Sequence, residues 1–138
     1  LPYKFEAGTP NIADIVAAQA AFDFINELSK PAIAAYEHEL LTYATEAFEN
    51  IEHIRLIGRA KHKVSVLSFV VEGVHHQDIG VLLDQQGIAI RTGHHCTQPM
   101  MNRFNILGTS RASFAVYNTV EEIDKLTNGL QKVIRMLR

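Results

Sequence analysis

The 138-residue chain has one cysteine, no tryptophan, four prolines and eight glycines. A lone thiol excludes an internal disulfide and a multi-cysteine metal site, and it fits a reducing compartment, so a cytoplasmic protein is expected. So little glycine and proline excludes a collagen-like or low-complexity chain. Neither sign of charge dominates: 13 Lys and Arg against 15 Asp and Glu give a formal net charge of −2. That balance leaves no electrostatic footprint for nucleic acid. No uncharged apolar run reaches the ~18 residues a membrane-spanning helix needs, so no membrane partner is expected. No basic segment followed by an apolar stretch marks a secretory signal. The first residue is Leu1, not Met, and the chain reads as a segment of something longer. Its length fits one domain in the usual range of about 100–200 residues. With 47% hydrophobic residues it has the material for a core.

What is present alternates between helical and strand-like patterning. Residues 1–10 read as loop, because Pro10 holds Thr9 out of the helical region and Gly8 loosens the backbone. A helix follows from Asn11 to Ser29, with Asn11 as N-cap and Ile12, Ile15, Val16, Phe22, Ile25 and Leu28 at helical spacing. Pro31 stops it and opens a second helix to Asn50, with Ile33, Tyr36, Leu40, Ala44 and Ala47 on one face. The period then shortens. Strands are expected at 54–57, 64–72, 88–91 and 112–117. A short helix starts near His76 and ends at Gly87. One helical turn is expected within 99–104. A last helix begins at Thr119, with Glu121 and Glu122 at its positive end and a stripe from Ile123 to Leu137. The fold class is therefore α+β, an α/β sandwich with a small, mostly antiparallel sheet of about four strands packed against helices.

The stretch Arg91-Thr92-Gly93-His94-His95-Cys96-Thr97-Gln98-Pro99 carries the most chemistry. It follows a buried-looking strand and has no helical period, so the sole thiol sits on a loop. A thiolate is the reactive form, and Arg91 or protonated His94 or His95 favours it. The bland alternative is a small core hydrophobe, the commoner fate of a free cysteine. A third reading makes His94, His95 and Cys96 a metal site. Consecutive side chains converge poorly on one ion, so no metal is expected. His75-His76 reads as a helix start. Arg111, beyond the small residues Gly108-Thr109-Ser110, suits bidentate carboxylate binding or a plain surface salt bridge. Thr9 could present a hydroxyl to an anion, or simply lead into a helix.

Phe5-Glu6-Ala7-Gly8-Thr9-Pro10-Asn11, Arg91 to Cys96 with Gln98-Pro99, and Ser110 to Thr119 stand in an order that resembles the group II cysteine desulfurases, the Suf-type and selenocysteine-lyase-like enzymes. These are fold-type-I pyridoxal phosphate enzymes, and the resemblance spans essentially the whole chain. It implies the C-terminal small domain of such an enzyme, without the large domain that carries the cofactor lysine. It implies removal of sulfur from L-cysteine, or selenium from selenocysteine, to leave alanine. Cys96 matches the persulfide-carrying cysteine, Arg111 the substrate-carboxylate arginine, and Thr9 the threonine that reaches the cofactor phosphate of the neighbouring subunit. Arg91, His94 and His95 match supporting positions. The implied partners are a second subunit in a homodimer and a sulfur-acceptor protein for iron–sulfur cluster assembly. The resemblance also implies that this segment alone is inactive. A stand-alone thiol or persulfide carrier without cofactor is the competing reading.

Overall fold

The structure, a computed structural model, describes residues 3–138. After a single 3-10 turn at Tyr3–Phe5 come helices α1 (Ile12–Glu27) and α2 (Lys30–Glu49), strands β1 (Ile54–Ile57) and β2 (Val66–Val71), and helix α3 (His76–Asp84). Strand β3 (Arg91–Gly93), helix α4 (Gln98–Phe104), strand β4 (Thr109–Ser113) and helix α5 (Val120–Leu137) complete the chain. Two compact units divide it, Leu1–Ala35 and Tyr36–Arg138.

In the first unit the expected helix forms and is capped as expected. The Asn11 side chain accepts the Asp14 N–H at 3.3 Å. No residue of α1 is buried, however. Ile12, Ile15, Val16, Phe22, Phe24 and Ile25 are all exposed. With alanines filling half of the other positions, the helix is apolar around much of its circumference, the composition of a helix enclosed by surrounding structure.

In the second unit the four strands stand in the order β1-β2-β4-β3, and every neighbouring pair is antiparallel. Alternation along the strands separates two faces. Leu67, Phe69, Val71 and Ala112 point to one face, where Leu40, Ala44 and Phe48 of α2, Ile79 and Leu83 of α3, and Ile123, Leu130 and Val133 of α5 close over them. Phe48 and Phe69 meet edge to face, their ring centroids 5.0 Å apart. The opposite face carries Ser68 and Arg111, paired across β2 and β4, and Arg91, paired with Arg111 across β3 and β4. Helices α2, α3 and α5 thus cover one face of the sheet, and Arg91 and Arg111 lie on the other.

Two expected strands are displaced. The strand expected at 88–91 is instead Arg91–Gly93. Gly87 adopts a left-handed φ of 69°, and the Ile88 N–H returns to the Leu83 carbonyl at 3.0 Å. That backbone therefore closes α3 before it can join the sheet. The strand expected at 112–117 is Thr109–Ser113, so Arg111 sits in mid-strand rather than opening it. Asn118 is the cause. Its side chain accepts the Ala115 N–H at 2.9 Å, and its own N–H donates to the Ala115 carbonyl at 2.9 Å. This turn takes residues 115–118 out of the ladder and leads into α5. The long strand expected at 64–72 is trimmed to Val66–Val71.

Candidate functional site

Strands β3 and β4 are antiparallel neighbours joined by a loop and α4, so the two ends of that connection lie side by side. Arg91 is directly opposite Arg111, and Gly93 opposite Thr109. Like charges in register across a ladder repel and cost stability. Neither guanidinium is relieved by a carboxylate: among the described residues the only ion pair is Arg59–Glu49, at 3.0 Å. The Arg111 Nε is buried and has no acceptor there either. An anion would relieve this repulsion, and a guanidinium fork matches a carboxylate geometrically.

The loop after β3 is drawn into a tight turn around His94. Its carbonyl accepts the Thr97 N–H at 2.9 Å and the Thr97 hydroxyl at 2.7 Å. Its Nδ1 accepts the Cys96 N–H at 3.1 Å, which places the proton of neutral His94 on Nε2. His95 and Cys96 follow with φ of 53° and 58°, two consecutive left-handed residues that are not glycine. Each costs roughly 1–2 kcal/mol relative to an ordinary conformation, so the turn must be held by its contacts.

The main contact is His95. Its Nε2 lies 3.1 Å from the Thr109 carbonyl and 3.0 Å from the Thr109 hydroxyl. A carbonyl only accepts, so Nε2 carries the proton and Nδ1 is left as a buried acceptor without a partner. Burial lowers the His95 pKa below its ordinary value; the Thr109 bond opposes that, and Arg111 and Arg91 reinforce it. His95 is therefore a neutral anchor rather than a second cation. Cys96 is exposed and lines a cleft of about 340 Å³ with His76, Arg91, Gly93, His94 and His95 among others. The thiol is thus not a core hydrophobe.

Of the residues singled out from sequence, Cys96, Arg91, His94 and His95 line one cleft in the second unit, and Arg111 stands opposite Arg91 on β4, outside that lining. Thr9 lies in the first unit, exposed beside Gly8. Among the described residues no group of three or more His, Cys, Asp or Glu side chains is placed to hold a metal ion. His94 and His95 are committed instead to Cys96 and Thr109. His75 caps α3 as expected, accepting the Gln77 N–H at 3.3 Å. Sequence reasoning missed Thr109 and Ser110, which read as loop but are buried strand, and it missed that His76 lines the Cys96 cleft. A polar pair just before an expected arginine site was the available signal.

Curated relatives match nearly the whole chain. A probable cysteine desulfurase of Vibrio cholerae is 47% identical over 137 residues, 99% of this chain and 34% of the relative. A cysteine desulfurase of Synechococcus elongatus is 48% identical over 132 residues, 96% of this chain and 21% of the relative. Among solved structures, the cysteine desulfurase CsdA of Escherichia coli, in an S-sulfonic acid form, superposes with a TM-score of 0.90 at 36% identity, covering 99% of this chain and 34% of that one. The chain thus spans about a third or less of the length of these relatives. The pattern that defines the aminotransferase class-V family matches residues 1–126, and the chain belongs to that family.

Proposed function

We propose that this chain is the small C-terminal domain of a group II, pyridoxal-phosphate-dependent cysteine desulfurase. The observation that carries the reading is the sole thiol, exposed on a constrained loop and sharing a cleft with Arg91, whose register partner across the sheet is Arg111, neither arginine having an ion pair among the described residues. A thiol acceptor and a carboxylate clamp are what abstraction of sulfur from L-cysteine, or selenium from selenocysteine, requires of a protein.

In this mechanism Arg111, with Arg91 opposite, holds the substrate carboxylate and so fixes where the substrate sulfur lies. The Cys96 thiolate attacks that sulfur. An S–S bond forms, the substrate Cβ–S bond breaks, its electron pair stays on the substrate carbon, and that carbon takes a proton to give alanine. Cys96 is left as a persulfide, exposed and able to pass the outer sulfur to an acceptor thiol. His95 keeps the loop anchored to β4 without adding a charge of its own.

Pyridoxal phosphate supplies the electron sink for the bond cleavage when bound. The residues of the Cys96 cleft do not fit its attachment: no lysine lines it. Thr9 is the residue of this chain assigned to the cofactor phosphate, across a homodimer. On this reading the remaining cofactor contacts lie in the part of the relatives' length that the chain does not cover, about two-thirds or more of it. The further assignments follow the same reading: a soluble cytoplasmic enzyme, a sulfur-acceptor protein for iron–sulfur assembly, and no nucleic acid or membrane partner. No helix of the described residues is long and apolar enough to cross a membrane.

The test is Cys96→Ala in a chain joining this segment to the rest of the enzyme. Alanine formation from L-cysteine is lost while the cofactor's visible absorbance is retained. Unchanged turnover would overturn the assignment.

A further inference from the structure

Helix α3 lies unusually close to the strands that carry the site. A Cβ on Gly80, in α3, would fall 2.8 Å from the Thr92 Cγ2 of β3. A Cβ on Gly108, just before β4, would fall 2.5 Å from the His76 Cδ2 and Nε2 and 2.9 Å from the Gly93 carbonyl carbon. Gly108 does not have a left-handed φ, so space and not backbone conformation explains this glycine. The His76 ring, Gly108 and Gly93 therefore meet at one crossing. From it β3 runs out into the Cys96 loop, and β4 starts with Thr109, the anchor of His95.

His76 itself is fixed from behind. It opens α3 directly after its cap, and its ring packs on that of His75 with centroids 4.2 Å apart. The Ser110 hydroxyl of β4 reaches the His76 carbonyl at 3.5 Å. His76 also lines the cleft shared with Arg91 to Cys96. Its Nδ1 is buried without a partner, as is the Nδ1 of His95. Only one other buried side-chain polar atom among the described residues lacks a partner, the Arg111 Nε. Leaving a buried polar group unpaired costs roughly 1–3 kcal/mol. Such groups concentrated around one loop mark a constraint beyond packing.

We propose that His76 is a positioning residue for the Cys96 loop. Its imidazole, wedged against Gly108 where Gly93 crosses, sets the place of Thr109 and, through His95, the left-handed turn that presents Cys96. The geometry alone carries this assignment; its use in sulfur transfer rests on the reading of Cys96 given above.

The test uses the 138-residue chain, 15N-labelled, with neither substrate nor cofactor. In the parent, His95 shows separate ring-nitrogen signals with the proton on Nε2. In His76→Ala the two signals move toward their average, and the Cys96 amide exchanges about threefold faster or more, through easier local opening. Amides in the middle of α5 keep their rates. His76→Asn, which retains a polar group in the gap, restores part of both signals. Unchanged His95 and Cys96 signals in His76→Ala overturn the proposal, and so does a loss of protection spread equally over α5. If His76→Ala does not fold, Gly108→Ala presses on the same ring from the other side and must give the same local changes. Neither outcome depends on desulfurase activity, so failure here leaves that reading standing, and the reverse holds too.

Discussion

Cys96 owes its position to neighbours that spend their hydrogen-bonding capacity on the backbone. His94 takes the Cys96 N–H, and His95 donates to Thr109. The cationic contribution therefore falls to Arg91 and Arg111. Replacing Arg111 with Lys keeps the charge but removes the two-pronged contact. We expect Arg111→Lys in the assembled enzyme to lower kcat/KM for L-cysteine by about 10- to 100-fold, since one charge-assisted bond contributes about 1.5–3 kcal/mol. Steady-state kinetics check this, and a change below twofold would contradict it. The two half-buried imidazoles also predict a pH dependence. Both His76 and His95 are pushed below their ordinary pKa of 6.5, chiefly by burial. The unfolded chain then binds more protons than the folded one just below that pH, so stability falls as the pH drops from about 7 toward 5. Thermal melts across that range show the slope, and His95→Asn reduces it.

The helices were the most legible elements, because their boundaries are written in local chemistry. Thr119 and Glu122 form a reciprocal cap on α5: the Glu122 N–H donates to the Thr119 hydroxyl at 3.4 Å and the Thr119 N–H to the Glu122 carboxylate at 3.2 Å. Hydrogen bonds from Asn118 and then Thr119 hold the Glu122 carboxyl below its usual pKa. Its contribution is accordingly present at neutral pH and lost as the pH falls through that lowered value. Thr119→Ala should cost about 1 kcal/mol in denaturant unfolding at neutral pH. The strands were less legible. Ile88 to Ile90 has strand composition but serves the end of α3, and Ala115 to Tyr117 is taken by the Asn118 turn. Thr109 and Ser110, small and polar, gave no strand signal yet are buried by pairing with β2 and β3. Non-local pairing decided these cases, and alternation within one segment does not encode it. Within the site, the thiol and the arginines were visible as residue types. Their facing register and the role of Thr109 needed the sheet.

The whole chain combines a second unit with a dense core and a first unit whose helix buries nothing. Phe48, fully buried, and Phe22, exposed, make the contrast measurable. In the 138-residue chain Phe48→Ala should cost about 3–5 kcal/mol. Phe22→Ala should stay within about 0.5 kcal/mol, the usual range for surface substitutions. A large effect at Phe22 would show that α1 is enclosed in solution. The same division of labour implies that the isolated chain, mixed with pyridoxal phosphate, gives no lysine-dependent visible absorbance band. A band abolished by replacing one lysine would place cofactor attachment inside this segment. That Cys96 carries sulfur is tested most directly by the intact mass of the chain after incubation with a persulfide donor. A gain of one sulfur atom is expected, reversed by a reducing thiol and absent from Cys96→Ala. An unmodified parent chain, or the same gain in Cys96→Ala, would contradict it.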